Sequence, residues 1–223
     1  MKKTFAVLWI SLLFSALHAQ DLKLGLVAMP HISFLTSDDR ISQQNGILPG
    51  FGFGLAGNYY FADHYGFSFG LNINTFTGGK LKYNETVSFK TADGLVSLPQ
   101  GTTVTYKLQY LEIPLGLKLN TNRIGYMSYY GQFGFQPAVK LNAKGKSEAF
   151  PNSKIDDEVR WFNLMYYIGA GLEYYLGGSE KSSALTFGVI YKKGINDITK
   201  ENGGRRTDKV LMSHLVLQAG IIF

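Results

Sequence analysis

The chain has 223 residues, a formal net charge of +6 and no cysteine. This length fits one β domain rather than two, and the lack of thiols excludes disulfides and thiolate metal sites. The basic excess is too modest to indicate a nucleic-acid partner. The chain also contains 26 glycines, 14 tyrosines and 16 phenylalanines. These numbers are high for a soluble domain of this size and favour aromatic-rich β structure.

Residues 1–19 have the layout of a cleaved signal peptide. Two lysines precede the apolar run 5–14, and small residues then lead to a predicted cleavage site near Ala19 and Gln20. The apolar run is too short to cross a bilayer as a helix, which argues against an N-terminal anchor. We therefore expect an exported protein whose mature domain is 20–223, with a charge of +4 once the two leader lysines are removed.

The dominant pattern after the leader has a period of two residues, which is typical of β-strands with one apolar face. In the run from Phe51 to Phe61, for example, aromatic and aliphatic residues alternate with glycine, alanine and asparagine. Eight strands are predicted in this way: 22–36, 49–61, 66–77, 103–119, 126–143, 160–176, 184–194 and 209–223.

The connections between the predicted strands alternate in length. Three short ones cover 62–65, 120–125 and 177–183, whereas four long ones cover 37–48, 78–102, 144–159 and 195–208. Short turns at one end and long loops at the other are typical of a transmembrane barrel with both termini in the periplasm. The edges of the longest loop still alternate, so we expect its hairpin to project beyond the membrane. The predicted fold is all-β, an eight-stranded antiparallel up-and-down transmembrane β-barrel.

The polar faces of the strands favour a membrane barrel over a soluble one with an apolar interior. In the second strand this face carries Gly52, Gly54, Ala56 and Asn58. Such small residues suit the cramped interior of an eight-stranded barrel. Aromatic residues at the short turns resemble an interfacial girdle, and they are Tyr59, Phe61, Phe67 and Tyr174.

The run Tyr110–Lys118 reads YLEIPLGLK and resembles the YLEIPL-x-LK strand of porin-family, or PorT-like, outer-membrane β-barrel domains. The Ala-Gln end of the leader, the glycine-rich second strand and the terminal Phe223 are also similar. The resemblance covers nearly all of the mature chain and implies an OmpX-like small barrel in the bacterial outer membrane. It further implies that Phe223 is the assembly signal read by the barrel-assembly machinery. A role as an accessory barrel of a protein secretion system is also implied as one alternative.

Six polar residues are predicted to form a network of ion pairs and hydrogen bonds in the lumen: Glu112, Lys118, Gln136, Lys140, Glu173 and Gln218. Buried charges have to be paired because an isolated one costs several kcal/mol, on the order of 5. A polar conduction path is the alternative interpretation. The filled lumen is favoured because eight strands leave space only for side chains.

Catalysis is not expected. Ser213 and His214 are the one superficial nucleophile–base pair, but adjacent strand residues point to opposite faces. Counting back from an outward Phe223 places Ser213 against lipid and His214 in the lumen. His64 lies in a predicted periplasmic turn, and His31 is the remaining histidine of the mature chain.

The loops suggest no cofactor or metal site. The run Gly52–Gly57 spells G-x-G-x-x-G, but it is itself a strand and no helix follows to receive a pyrophosphate. The acidic pair Asp38–Asp39 or the acidic triplet Asp156–Glu158 could hold a divalent cation, although solvated loop charge is favoured. The last long loop could bind lipid phosphates or be merely solvated, and its basic residues are Lys192, Lys193, Lys200, Arg205, Arg206 and Lys209.

The sequence thus predicts a non-catalytic outer-membrane barrel with a structural or surface-interaction role. The alternatives are an accessory barrel of a secretion system and a narrow pore for ions or small solutes. Expected partners are outer-membrane lipid and lipopolysaccharide, the barrel-assembly machinery and secretion-system subunits.

Overall fold

Antiparallel strands occupy eight places around a closed ring. The computed structural model describes residues 22–38, 40–177, 182–200 and 209–223. The predicted signal peptide and its cleavage site lie outside these residues. The described strands are β1 (Leu22–Ser37), β2 (Ser42–Gln44), β3 (Ile47–Ala62), β4 (Tyr65–Tyr83), β5 (Val87–Thr91), β6 (Gly94–Leu98), β7 (Thr103–Glu112), β8 (Leu115–Asn120), β9 (Met127–Lys146), β10 (Ser153–Lys154), β11 (Phe162–Tyr175), β12 (Ala184–Gly194) and β13 (Val210–Ile222).

The ring follows chain order, as expected for an up-and-down barrel. Each of β1, β3, β4, β9, β11, β12 and β13 pairs with its neighbours in the chain, and β7 and β8 together fill the place between β4 and β9. The first strand then pairs with the last, with Gly25 opposite Ile222. Closure leaves the ring without an unpaired edge. The predicted eight-stranded antiparallel barrel is confirmed.

The fourth predicted strand is split in two by a proline. The prediction was a continuous strand 103–119, but β7 ends at Glu112 and β8 begins at Leu115. Pro114 has no N–H to give to the ladder, and the strand is interrupted at Ile113 and Pro114. The backbone N–H of Ile113 still donates to the carbonyl of Pro137 at 2.9 Å, which keeps both halves in line.

The ring has an apolar outer wall and a mainly polar interior over most of its height. In β3 the outward Phe51, Phe53 and Leu55 are exposed, whereas Asn58 on the opposite face is buried. Outward aromatic rings cluster beside the short connections, where Phe61 lies 4.9 Å from Phe67 between centroids. No helix of the described residues is long and apolar enough to span a membrane.

The two ends of the barrel differ strongly. We call the end with the short connections, together with the start of β1 and the end of β13, the turn end; the opposite end is the loop end. At the loop end β4 and β9 continue past the predicted strand limits, β7 begins at the predicted limit, and β5 and β6 form a separate two-stranded hairpin. The connection 78–102 therefore contains a hairpin and is largely β structure rather than a 25-residue loop.

A hydrophobic core fills the interior of the loop end. It joins ring strands, the β5–β6 hairpin and the segments around β10, and its buried members are Leu35, Leu81, Tyr83, Phe89, Leu98, Val104, Tyr106, Leu108, Tyr110, Ala138, Ala143, Phe150, Ile155, Val159, Met165, Ile198, Val210 and Met212. We call this set the apolar plug. Its presence was not predicted from the sequence.

Candidate functional site

Two ion pairs cross the lumen below the apolar plug. Lys118 pairs with Glu173, and the Lys192 ammonium lies 2.9 Å from the Glu112 carboxylate. All four side chains are at most 3% exposed. Gln136 donates a hydrogen bond to the same Glu112 carboxylate oxygen. The structure therefore brings together four of the six predicted network residues, and it adds Lys192.

The first pair reaches over an entire strand. Lys118 on β8 lies opposite Gln132 on β9, and Glu173 lies on β11 at the far side of β9. The Tyr175 hydroxyl donates a hydrogen bond to the Glu173 carboxylate at 3.1 Å, and the Asn120 amide donates another at 3.4 Å. The Lys118 ammonium also lies 4.1 Å from the centroid of the Tyr130 ring. Both charges are thus surrounded by partners, as burial in a low-dielectric interior requires.

The second pair corrects the interpretation of Lys192. Lys192 was counted with the basic residues of the last loop, although it lies within the predicted strand 184–194. It belongs to β12 and points into the lumen, with 2% of its side chain exposed. Thr186 and Ile190 face inward, and Lys192 follows them by an even number of residues on the same strand. This spacing could have revealed that Lys192 also faces inward. Lys200 and Lys209 do lie in the loop region, whereas Arg205 and Arg206 fall outside the described residues.

Lys140 does not join the lumen network, contrary to the prediction. Its ammonium contacts the backbone carbonyls of Asp156 at 2.7 Å and Val159 at 2.8 Å, and the Asp156 carboxylate at 3.5 Å. Lys140 lies opposite the buried Tyr110, and its side chain is 10% exposed, but it reaches the segment 156–159 rather than the two ion pairs. Directly beyond Lys140 the register shifts, and β9 passes to Asn142 opposite Gln109 of β7. This shift reverses which β9 residues face inward beyond that point.

Gln218, the sixth predicted residue, lines a cavity of about 40 Å³ together with Lys118, Gln136 and Lys192. A water molecule needs roughly 10–15 Å³ of such space. The cavity therefore holds a few waters at most, and it is far smaller than a channel for solutes.

Two histidines form a second polar layer in the lumen. The rings of His31 and His214 lie 5.6 Å apart, and both side chains are at most 5% exposed. The Nδ1 of His31 lies 3.1 Å from the Met29 carbonyl. The Nε2 of His31 and both ring nitrogens of His214 have no hydrogen-bond partner within the described protein atoms. A buried polar atom without a partner costs about 1–3 kcal/mol, so these histidines make this layer energetically unfavourable compared with the ion pairs below.

The Ser213–His214 pair has the geometry expected of neighbours on one strand. His214 lies in the lumen, and Ser213 is opposite Phe34 and Lys193 on the other face. Ser213 was expected to face lipid openly, but it is only 1% exposed beside those larger residues. His64 lies in the β3–β4 connection, at the turn end as predicted, where its carbonyl accepts from Asn120.

The acidic loop cluster holds the hairpin in place. Asp157 lies 3.0 Å from the Lys90 ammonium, and the Lys90 backbone N–H donates to the Glu158 carboxylate at 2.6 Å. The Ala92 N–H donates to the Lys154 carbonyl at 2.9 Å. The hydrogen bond from Lys90 and its positive charge lower the pKa of Asp157.

The remaining candidates have simple structural roles. Gly52–Gly57 lies inside β3, as the sequence predicted, and no helix follows it in the described chain. Asp38 is described but Asp39 is not. Within the described ranges, no three His, Asp or Glu side chains come together as a metal-binding group.

An apolar wall, a charged but filled lumen and a closed antiparallel ring define a small transmembrane β-barrel. The chain belongs to the outer membrane protein beta-barrel domain family, whose model matches residues 18–200. This family assignment supports the bacterial outer membrane as the location and confirms the predicted small-barrel class.

Several solved structures are similar to this chain. Ail, the attachment invasion locus protein of Yersinia pestis, is 16% identical, with 92% of this chain and 100% of that chain covered and a TM-score of 0.43. OprG from Pseudomonas aeruginosa is 14% identical, with 92% and 95% covered and a TM-score of 0.45. The outer membrane protease OmpT from Escherichia coli is 9% identical, with 92% and 99% covered and a TM-score of 0.43. Similarity at this level does not assign one of their functions to this chain. Among curated proteins none matches.

Proposed function

We propose that this protein is a non-catalytic surface-interaction barrel, whose activity resides at the loop end rather than in the lumen. The observation that carries the proposal is the apolar plug, which closes the loop end of the lumen with packed side chains. A protein built for conduction has no use for an apolar core across its lumen. A protein that presents a rigid surface beyond the membrane requires such a core to hold that surface in one conformation.

The loop end is built to present the β5–β6 hairpin. Phe89 of β5 stacks on Phe150 with centroids 5.4 Å apart, which anchors the hairpin to the segment before β10. The tip points the other way, and Leu95 is 73% exposed, the most exposed large apolar side chain of the described residues. Ser97 is also exposed on the outer strand of the hairpin. We propose that the loop end is extracellular and that this tip contacts other surface molecules.

Photo-cross-linking in living cells tests the proposal. A photoreactive amino acid at Ser97 should give a discrete adduct with an envelope or surface molecule, identifiable by mass spectrometry. The same amino acid at Asp63, which is exposed in the β3–β4 turn, is the matched control and should not give that adduct. Adducts with secretion-machinery subunits at a fixed ratio would favour the accessory-barrel alternative. An identical adduct pattern from both positions would contradict a surface role of the loop end.

A narrow pore is the second candidate, and the unpartnered lumen atoms favour it. His31, His214 and Asn163 carry buried nitrogen or oxygen atoms without a partner among the described residues, so the interior contains polar groups along which a water path could run. Under the pore hypothesis, Lys192→Ala widens a water path and accelerates the swelling of proteoliposomes in small sugars. Under the proposal of a surface barrel, the apolar plug still blocks the path and the swelling rate does not change.

A further inference from the structure

Six lysines line the outward face of the barrel at the loop end. They lie on β4, β7, β9 and β10, and they are Lys80, Lys82, Lys107, Lys144, Lys146 and Lys154. Each is exposed or half-buried. Their neighbours along the strands, such as Tyr106 and Ala143, point inward to the apolar plug. We call these six residues the lysine face.

Strand register places like charges directly opposite one another on this face. Lys107 of β7 is opposite Lys144 of β9, and Lys144 is opposite Lys154 of β10. Residues paired in this way have Cβ atoms about 4.5–5.5 Å apart, and like charges there repel each other. One row of three adjacent strands therefore carries three lysines in contact range. Thr105 is opposite both Lys80 and Lys146, which extends the basic surface on either side.

Among the residues that the structure describes, no ion pair gives this row a counter-charge. The ion pairs of the described residues use Lys90, Lys118, Lys140 and Lys192, and none of the six lysines. The neighbouring outward positions are neutral hydrogen-bonding residues, namely Thr103, Thr105, Gln109 and Asn142. Within the described ranges the repulsion in the row is therefore not relieved by an ion pair.

The lysine face lies at the depth of lipid headgroups. Leu141 is outward on β9 and 50% exposed, and Trp161, whose carbonyl accepts from Lys140, is 66% exposed. Both side chains are suited to the edge of the hydrocarbon layer. Lys144 follows Leu141 by three residues, or about 10 Å of strand. At a strand tilt of about 40° this is roughly 7–8 Å along the bilayer normal, which is within the headgroup layer of about 5–8 Å.

We infer that the lysine face is a binding site for a phosphorylated glycolipid of the surrounding leaflet, with Lys107, Lys144 and Lys154 around one phosphate group. A lipid phosphate provides the missing negative charge, and its acyl chains pack on the apolar wall below. The threonine and amide side chains donate hydrogen bonds to phosphate or sugar oxygens. In the outer leaflet of this membrane the ligand is lipopolysaccharide. The inference rests on the proposed orientation, in which the loop end is extracellular.

A lipid titration tests the site directly. The wild-type barrel and the variant Lys107→Gln/Lys144→Gln/Lys154→Gln are purified in detergent, stripped of lipid and titrated with lipopolysaccharide, with Trp161 fluorescence as the signal. The triple variant should bind roughly 100-fold more weakly, since each lysine near an anionic surface contributes about fivefold. The control Lys193→Gln/Lys200→Gln/Lys209→Gln removes equal charge elsewhere at the loop end and should change affinity less than about threefold. Heat-modifiable migration in gels confirms that each variant is folded.

Two results would overturn the inference. One is an equal loss of affinity in both triple variants. The other is equally tight binding of dextran sulfate, a soluble polyanion without acyl chains, because the site would then not be specific for lipid. Orientation is checked separately with Lys154→Cys in this cysteine-free chain, labelled in intact cells by an impermeant maleimide. Labelling without lipopolysaccharide binding contradicts only the glycolipid site. A complete lack of labelling in intact cells, with labelling after lysis, contradicts the proposed function as well.

Discussion

Lys118 and Glu173 form an ion pair in the lumen although they lie on strands that are not neighbours, with β9 between them. The pair therefore ties β8 to β11 independently of the backbone ladder. Glu173 also accepts from Tyr175 and Asn120, so removal of one partner leaves a charge and several donors without a match.

Removing one partner of the Lys118–Glu173 ion pair should lower the stability of the barrel strongly. We expect Glu173→Ala to lower the free energy of unfolding by about 3–5 kcal/mol, because Lys118 is left as a buried unpaired charge. The double variant Lys118→Met/Glu173→Leu should recover most of that loss, since two apolar side chains need no partner. Urea unfolding in lipid vesicles measures both. A double variant less stable than Glu173→Ala would contradict this account of the lumen.

Two glycines on neighbouring strands should respond very differently to alanine. A Cβ added at Gly171 would lie 2.5 Å from the Tyr130 hydroxyl and would contact the Phe187 carbonyl, whereas one added at Gly131 meets nothing within 4 Å. Gly171→Ala should therefore destabilise the barrel by about 1–3 kcal/mol through overpacking. Gly131→Ala should stay within about 0.5 kcal/mol of wild type. Equal urea midpoints for the two variants would show that the lumen is not tightly packed around Tyr130.

The hairpin should detach when its aromatic anchor is removed. Phe89 is 1% exposed and contacts Phe150 and Tyr106. Phe89→Ala should weaken docking of the hairpin by about 3–5 kcal/mol without opening the ring. Limited proteolysis of the folded barrel should then cut within 84–102. Leu95→Ala is the matched control, because Leu95 is exposed, and it should leave this segment as resistant as in the wild type.

Acid should loosen the contact between the hairpin and the acidic loop. The pKa of Asp157 is lowered in the folded protein by Lys90, so this carboxylate contributes stability above the ordinary aspartate pKa of about 3.9. That contribution is lost as the pH falls through the lower folded-state pKa. A spin label at Leu95→Cys should gain mobility modestly in that acid range. Adding Asp157→Asn should remove the pH dependence, and an unchanged pH response in that variant would rule out Asp157 as its source.

Phe223 should matter more for assembly in cells than for refolding in detergent. The Phe223 N–H donates to the Leu24 carbonyl at 2.7 Å and so closes the seam between β1 and β13, but its ring is exposed. If Phe223 is the assembly signal, Phe223→Ser should lower the amount in the outer membrane several-fold while refolding in detergent stays normal. A parallel failure of detergent refolding would indicate a structural role instead.

The sequence predicted the ring because membrane strands alternate strictly between lipid and lumen. It did not predict the loop end, because there the inward residues are apolar and the outward residues are polar. Val104, Tyr106 and Leu108 point into the apolar plug while Lys107 points outward. The alternation of β7 itself is unbroken, so only the chemistry of its two faces changes. The partner strands β4 and β9 are irregular there, near Phe76 with φ of +56° and just beyond Lys140.

The errors in the predicted site concern two lysines and have separate origins. Lys140 follows the alternation correctly up to the register shift beyond it, but its ammonium binds the carbonyls of Asp156 and Val159, two loop residues that no local motif marks as its partners. Lys192 was assigned to a loop although the strand parity of β12 already pointed it inward. Pairing partners such as Lys192 and Glu112 are 80 residues apart, and only the closed ring brings them together.

The central claim, that the lumen is closed and the function lies at the loop end, is tested most directly by recording current through the wild-type protein in planar bilayers. The account predicts no steady conductance at neutral pH, because the apolar plug and two ion pairs fill the interior. A reproducible open state that scales with protein insertion would contradict it and would identify the protein as a pore.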